Sequence, residues 1–234
     1  MTALSIRKNL LLALAGAVVA ALSTANASQA LSVVTSRSAL GANDTLDWSS
    51  LGSEYSSISS PFTTVSTGGN TVTGSIPSGS FQRRNQSSGW NGNFAPGDAL
   101  LWTQGNPGPL QLTFSQSVRG VGTQIQANVF GPFTAVIEAF NSGGTSLGSF
   151  TLPSNSTSGR DNSAIFIGFL SDNADIAKLL LNLQDNKEFA INQVSFNTTG
   201  GTSIPTPALL PGLIGLGMGV LRKRKAEAAE GSEA

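Results

Sequence analysis

"VGTQIQANV", residues Val121 to Val129, decides the fold class. Val121, Thr123, Ile125, Ala127 and Val129 share one phase while their neighbours are mostly polar, so the period is two and the stretch is predicted to be a strand with one buried face. The same period extends outward. "FTAVIEAFN" and "TSLGSFTLP" are joined by "NSGG" (Asn141 to Gly144), turn residues between two apolar runs, which predicts a hairpin. "SAIFIGFL" (Ser163 to Leu170) is apolar on both faces and belongs between layers. "AKLLLNLQD" alternates Leu179, Leu181 and Leu183 with Lys178, Asn182 and Gln184, although a short helix over Asp175 to Leu181 fits as well.

In "KEFAINQVSF", Phe189 and Ile191 lie in one phase and Val194 and Phe196 in the other. A one-residue slip turns side chains to the opposite face, so a β-bulge or a change of sheet is predicted near Asn192 and Gln193. Toward the N-terminus the chain is polar and Ser-rich. "ALGANDTLDW" can give a turn of helix, and disorder competes for Ser49 to Ser60. No sustained 3.6-residue apolar pattern runs from Leu31 to Phe196, only short β-rich runs separated by Gly, Asn, Ser and Pro. The expected fold is therefore all-β: a single antiparallel β-sandwich, jelly-roll-like, over residues 28–198. About 170 residues can bury roughly 70% of the unfolded chain's surface in one domain.

Composition removes whole classes of chemistry. The 234 residues include no Cys and no His, which excludes a disulfide framework, a thiolate zinc site, a Cys nucleophile and a Ser-His-Asp triad. Between Ser28 and Ile204 there are seven basic and ten acidic residues, a net of −3. Nucleic-acid binding wants a clustered positive face and is not expected.

Carboxylates are then the only acid–base equipment left, so a glycoside hydrolase is the enzyme class still open. Glu138, inside "TAVIEAF", either lines a cleft or faces solvent. Calcium suits hard oxygen donors, and "SDNAD" and "QDNKE" place Asp172, Asp175, Asp185 and Glu188 around the last strands, although Asn and Asp are also ordinary turn residues. No other cofactor is indicated. "FQRRNQSSGWNGNFAPGDALLW" gathers Phe81, Arg83, Arg84, Trp90, Phe94 and Trp102 among polar amides. The apolar face of a pyranose stacks on aromatic rings while its hydroxyls need donors and acceptors, so Arg83, Arg84 and Trp90 are a candidate ligand face. The alternative places Trp102 and Phe94 in the core and leaves Arg83 and Arg84 to guard a sheet edge.

Both ends carry addresses. Arg7 and Lys8 precede the apolar run Leu10 to Leu22, and Ala25 and Ala27 form an A-x-A site, so residues 1–27 are predicted to be a signal peptide removed by signal peptidase. After a linker at 199–204, residues 205–225 read "PTPALLPGLIGLGMGVLRKRK". Ala208 to Leu221 would make about 21 Å of helix against a hydrocarbon core of about 30 Å, a short transmembrane helix. Arg222, Lys223, Arg224 and Lys225 would hold its end inside, with residues 226–234 as a cytoplasmic tail.

This tail resembles the PEP-CTERM class of sorting signals in its cyanobacterial PTPA variant, with the motif on Pro205, Thr206, Pro207 and Ala208, the helix on Leu209 to Leu221 and the basic stop on Arg222 to Lys225. The resemblance implies an exosortase-like membrane protease as partner. It also implies an exported passenger, held at the membrane and then placed at the cell surface or in the extracellular matrix. "FAPGDALLWT", "TAVIEAFNSGG" and "EFAINQVSF" are similar to passengers of that class, which implies a β-sandwich and no reaction. The expectation is a structural or carbohydrate-binding envelope protein, with a carboxylate-dependent carbohydrate-active enzyme or a permanently anchored surface protein as alternatives.

Overall fold

A computed structural model describes residues 31–199. The expected signal peptide with Ala25 and Ala27, and the linker, sorting motif, helix, basic stop and tail from 200 onward, lie outside the described residues. Among the described residues no helix is long and apolar enough to cross a membrane.

Fifteen strands form the domain: β1 Leu31–Val34, β2 Asp44–Leu46, β3 Ser57–Ser59, β4 Phe62–Val65, β5 Thr71–Ser75, β6 Ser80–Asn85, β7 Ala99–Trp102, β8 Leu110–Val118, β9 Gly120–Ala127, β10 Gly131–Phe140, β11 Ser146–Ser156, β12 Ile165–Ser171, β13 Ile176–Leu183, β14 Phe189–Ile191 and β15 Val194–Asn197. They make two antiparallel sheets. One has nine strands, ordered β1-β12-β9-β14-β7-β6-β3, with β15 pairing β9 and β2; the other has six, ordered β11-β10-β13-β8-β5-β4. From β7 to β14 the chain alternates between sheets, except for the β10–β11 hairpin. The resulting neighbours, β12-β9-β14-β7 and β11-β10-β13-β8, are the connectivity of a jelly roll.

The periods read from the sequence explain the core. In β10, Phe133, Ala135, Ile137 and Ala139 are buried while Thr134, Val136, Glu138 and Phe140 point outward; in β13, Leu179, Leu181 and Leu183 meet them from the next strand. Strand geometry wins over the helical alternative at 175–181 because β13 is paired on both sides, by β10 and β8. The hairpin turn closes as expected, with Asn141 N–H donating to Thr145 O at 3.0 Å. "SAIFIGFL" is covered on both faces: Ile167 and Phe169 enter the core, and Phe166 packs with Val34 and Leu40 outside the sheet.

Three expectations need correction or sharpening. Every residue of β9 is buried, including Gln124 and Gln126, because loops cover the outer face of the nine-stranded sheet and satisfy both amides. Val129 lies past the end of β9, in the turn to β10, and is 54% exposed. Residues 49–60 are ordered by pairing: a 3-10 turn spans Trp48–Leu51, Ile58 enters the core, and β3 pairs β6. A second 3-10 turn, Ser38–Leu40, and this one lie at either end of the "ALGANDTLDW" stretch.

The irregularity at Asn192 and Gln193 is a bulge. Ile191 pairs with Ile125 and Ser195 with Gly122, so three residues of one chain segment oppose two of β9. The slip returns Val194 and Phe196 to the face that Phe189 and Ile191 use, and all four are fully buried.

Candidate functional site

The outer face of the nine-stranded sheet carries the concentrated polar and aromatic chemistry. Along β6, alternation sends Gln82 and Arg84 outward and Phe81 inward. On β7, Leu100 and Trp102 share the outer face, with Gln82 directly opposite Trp102 in the register. The long connection from β6 to β7, residues 86–98, folds back over this face and brings Trp90 and Phe94 against Leu100, Ala190 and Trp102.

Gln126 holds that connection in place. Its Oε1 accepts from Asn93 N–H at 2.8 Å and from Trp90 Nε1 at 3.3 Å; its Nε2 donates to Asn93 Oδ1 at 2.8 Å, Ser156 Oγ at 2.8 Å and Thr157 O at 3.1 Å. One buried amide thus ties the 86–98 loop to the loop after β11. Asn93 continues the tie through Thr157 Oγ1 at 2.7 Å and Asp161 Oδ1 at 3.3 Å. Hydrogen bonds from Ser163 and Asn93 hold the Asp161 carboxyl below its ordinary range.

At the margin of the loop Arg84, Gly89, Trp90, Trp102 and Asn128 line a cavity of about 250 Å³. The Arg84 guanidinium lies 4.6 Å over the Trp102 ring and 4.7 Å over the Tyr55 ring, and Trp90 meets Trp102 edge-on with centroids 6.4 Å apart. Tyr55, against Arg84, and Val129 and Phe130, which follow Asn128 in the chain, are each more than half exposed. Arg84 Nη1 donates to Gly89 O at 3.1 Å. Asn128 donates from Nδ2 to Glu188 Oε1, and Glu54 Oε1 accepts from Asn85 N–H at 3.0 Å and Ser88 Oγ at 2.8 Å.

Of the expected ligand face, Arg84 and Trp90 are brought together and Arg83 is not. Arg83 is 5% exposed, in phase with Phe81, and bonds the Arg84 carbonyl. Burial lowers its guanidinium from the usual value, opposed by the charges of Asp47 and Glu54. Strand alternation alone separates the two arginines. Of the two aromatics that the alternative placed in the core, Phe94 is there, while Trp102 is half-buried at the cavity. The sequence reading missed Tyr55, Gln82 and Asn128. Only the alternation that pairs Gln82 with Arg84 pointed to any of them.

The four acids considered for calcium split into two pairs. Asp172 and Asp175 precede β13 and Asp185 and Glu188 follow it, about 26 Å apart along eight residues of strand. No three acidic side chains converge among the described residues. Asp185 pairs with Lys187, and Glu188 also accepts from Gly105 N–H at 2.6 Å. Glu138 stands on the outer face of the six-stranded sheet and accepts from Ser146 Oγ at 2.7 Å, with Ser149 and Leu180 opposite it on the two neighbouring strands.

A second polar cluster underlies the bulge. Arg37 donates to Asn192 Oδ1 at 3.1 Å and to Ser195 Oγ, and stacks on Phe166 at 5.2 Å. Burial lowers its guanidinium from the usual value while Asp98 opposes the shift. The concavity of about 490 Å³ above it is lined by Ser36, Arg37, Gln124 and Asn162, among others. Gln124 is spent on internal bonds: Nε2 donates to Asn162 Oδ1 and Ala164 O, and Oε1 accepts from Asn192.

The class defined by fold and site is a jelly-roll β-sandwich with an aromatic and arginine-bearing cavity on one outer face. No protein-family model matches the chain, and no curated protein matches it. Among solved structures it is similar to CsCBM6-3 from Clostridium stercorarium in complex with cellobiose, at 11% identity and a TM-score of 0.31, over 53% of this chain and 87% of that one. It is also similar to a DUF4465 family protein from Bacteroides caccae, at 12% identity and a TM-score of 0.30, over 62% and 98%.

Proposed function

We propose that this is an exported protein of the cell envelope or extracellular matrix, structural or carbohydrate-binding, delivered by an N-terminal signal peptide and sorted through its C-terminal segment by an exosortase-like membrane protease. The observation that carries the binding part is the cavity beside Trp102, where rings, amides and an arginine meet at the margin of a sheet face. Sugar rings need an apolar surface bordered by donors and acceptors, and this cavity offers both. The addresses rest on residues 1–27 and 205–225.

Two experiments test the parts separately. Pull-down of the purified full chain on insoluble and soluble polysaccharides is expected to retain it on at least one polymer; no retention on any polymer removes the binding role. Intact-mass measurement of the protein from its own cells is expected to show loss of residues 1–27 and of the segment containing Arg222 to Lys225. A mature species that keeps that segment would make it a permanently anchored protein.

A further inference from the structure

We propose that the Arg84 guanidinium is a displaceable cap over a subsite for a neutral pyranose, in which Trp102 supplies the stacking face and Trp102 Nε1 and Gln82 Oε1 bind sugar hydroxyls. This rests on the carbohydrate-binding reading and gives it a ligand class.

Beneath Arg84 the hydrogen bonding is incomplete. Trp102 Nε1, Gln82 Oε1 and Arg84 Nε are buried and have no hydrogen-bond partner among the described residues. Buried polar atoms are almost always paired, and Gln124 and Gln126 on the same sheet face are fully bonded. Among the described residues seven such atoms stand unpartnered: five on Gln82, Arg83, Arg84, Gln86 and Trp102, in β6, β7 and the start of the loop between them, and two on the Asp175 carboxylate. Gln82 and Trp102 are cross-strand neighbours on the outer face that Arg84 shares, so an unpaired donor, over which Arg84 lies, and an unpaired acceptor stand opposite each other on adjacent strands. A hydroxyl both donates and accepts, and a pyranose offers several beside a C–H face.

Arg84 is held in a way that lets it leave. It stacks on Tyr55 and Trp102 and makes one backbone bond to Gly89 O, and among the described residues the one ion pair is Lys187–Asp185, so no carboxylate pins it. A sugar ring that takes its place on Trp102 replaces one face-on contact with another and supplies the missing hydrogen bonds. The cavity of about 250 Å³ is smaller than sites for drug-sized ligands, about 300–1,000 Å³, which fits a single ring of a longer chain.

The charge around the cavity selects a neutral sugar. A Cβ at Gly89 would collide with Glu54 Oε1, which places that carboxylate against the cavity wall, and Glu188 is bonded to Asn128 on the other side. Two carboxylates against one arginine repel a uronate or a sulfate.

The test is a fluorescence and calorimetric titration of the full chain with cellohexaose and mannohexaose as neutral probes and hexagalacturonate as the acidic one. Of the three tryptophans Trp48 is fully buried, so a spectral change reports Trp90 and Trp102. The unsubstituted chain is expected to bind a neutral probe. W102F, which keeps a ring but loses the N–H, is expected to bind it about tenfold more weakly, and R84A several-fold more tightly because the cap no longer competes. Y55A, which removes one of the two rings holding Arg84, is expected to shift affinity in the same direction as R84A and serves if R84A lowers the thermal midpoint. Weaker neutral binding by R84A and Y55A overturns the cap, and a preference for hexagalacturonate that R84A abolishes overturns the neutral assignment. Binding by the unsubstituted chain that none of the three substitutions changes leaves the carbohydrate reading standing and places the site elsewhere. No binding of any probe defeats that reading itself.

Discussion

The side chain of Asn192 holds both ends of Gln124: its Oδ1 accepts from the Gln124 backbone N–H at 3.1 Å, and its Nδ2 donates to Gln124 Oε1 at 2.5 Å. A bulge leaves its partner strand with an unpaired backbone group, and Asn192 fills that gap with its own amide. Asp98 Oδ2 accepts from the same Nδ2 at 3.0 Å, and Trp48 Nε1 donates to the Asn192 carbonyl at 2.8 Å. The bulge is thus fixed from the side chain as well as from the backbone.

N192A would strand a buried backbone N–H, an amide oxygen and part of the Arg37 guanidinium at once. The expected loss is about 3 kcal/mol of unfolding free energy, since an orphaned buried polar group costs about 1–3 kcal/mol. Urea denaturation checks it. The midpoint should fall with an unchanged slope, because the fold and the surface exposed on unfolding stay the same. A midpoint within error of the unsubstituted chain would show that the backbone alone holds the bulge.

Asp44 makes stability depend on acid. Burial raises the pKa of its carboxyl, but bonds from Ser66 Oγ at 2.5 Å, Gly68 N–H at 2.6 Å, Thr67 Oγ1 at 2.9 Å and Thr45 N–H at 2.7 Å outweigh that and hold it below the ordinary value. A depressed folded-state pKa gives stability that is complete above the unfolded value, about 3.9, and is lost as pH falls through the folded one. Asp161 acts in the same sense. Unfolding free energy is therefore expected to be flat near neutrality and to fall below about pH 4. D44N should cost about 2 kcal/mol at pH 7 and show a shallower decline in acid, because the charge that strengthens those bonds is absent. Thermal melts from pH 7 to pH 2 give both quantities.

What the sequence disclosed and what it hid divide along physical lines. Period-two patterns exposed β10, β13 and the hairpin because their outer faces meet solvent, and the phase slip between Ile191 and Val194 exposed the bulge. The same logic misplaced the glutamines of β9. Gln124 and Gln126 read as solvent-facing, whereas loops distant in sequence cover them, and no local pattern announces such a cover. The site was half legible. Arg84 and Trp90 were gathered by a local cluster of rings and charges, yet Tyr55 and Asn128 join them through β3–β6 pairing and the β9–β10 turn. Arg83 was chosen for its charge alone, when its phase with Phe81 already turned it inward.

Gly122 and Gly168 face each other across β9 and β12, and Phe166 covers the gap. A Cβ on Gly168 would lie 2.7 Å from the Val121 carbonyl oxygen, a backbone atom that cannot move without breaking the ladder. A Cβ on Gly122 would meet the Phe166 ring at 2.6 Å and the Gly168 Cα at 3.0 Å, and the ring can shift part of the way. Both alanine substitutions overpack, at about 1–3 kcal/mol, with G168A expected at the upper end and G122A lower. Equal losses in chemical denaturation would mean that the strands separate rather than the ring moving.

Gln126 gives the last prediction, because it separates holding the loop from holding the domain. Its amide serves Trp90, Asn93, Ser156 and Thr157, and the residue is 1% exposed. Q126L keeps much of the volume and removes every one of those bonds, so the 86–98 loop loses its anchor while the inter-sheet core, on the other side of β9, keeps its contacts. Global stability is expected to fall by about 2–3 kcal/mol, from buried groups left without partners. The local effect should be larger. Limited proteolysis under native conditions is expected to cut within residues 86–98 well before the rest of the chain unfolds, and the Trp90 contribution to fluorescence should shift toward that of a solvated indole. If cleavage instead tracks global unfolding, the loop is held by Phe94 packing and Gln126 is only one bond set among several.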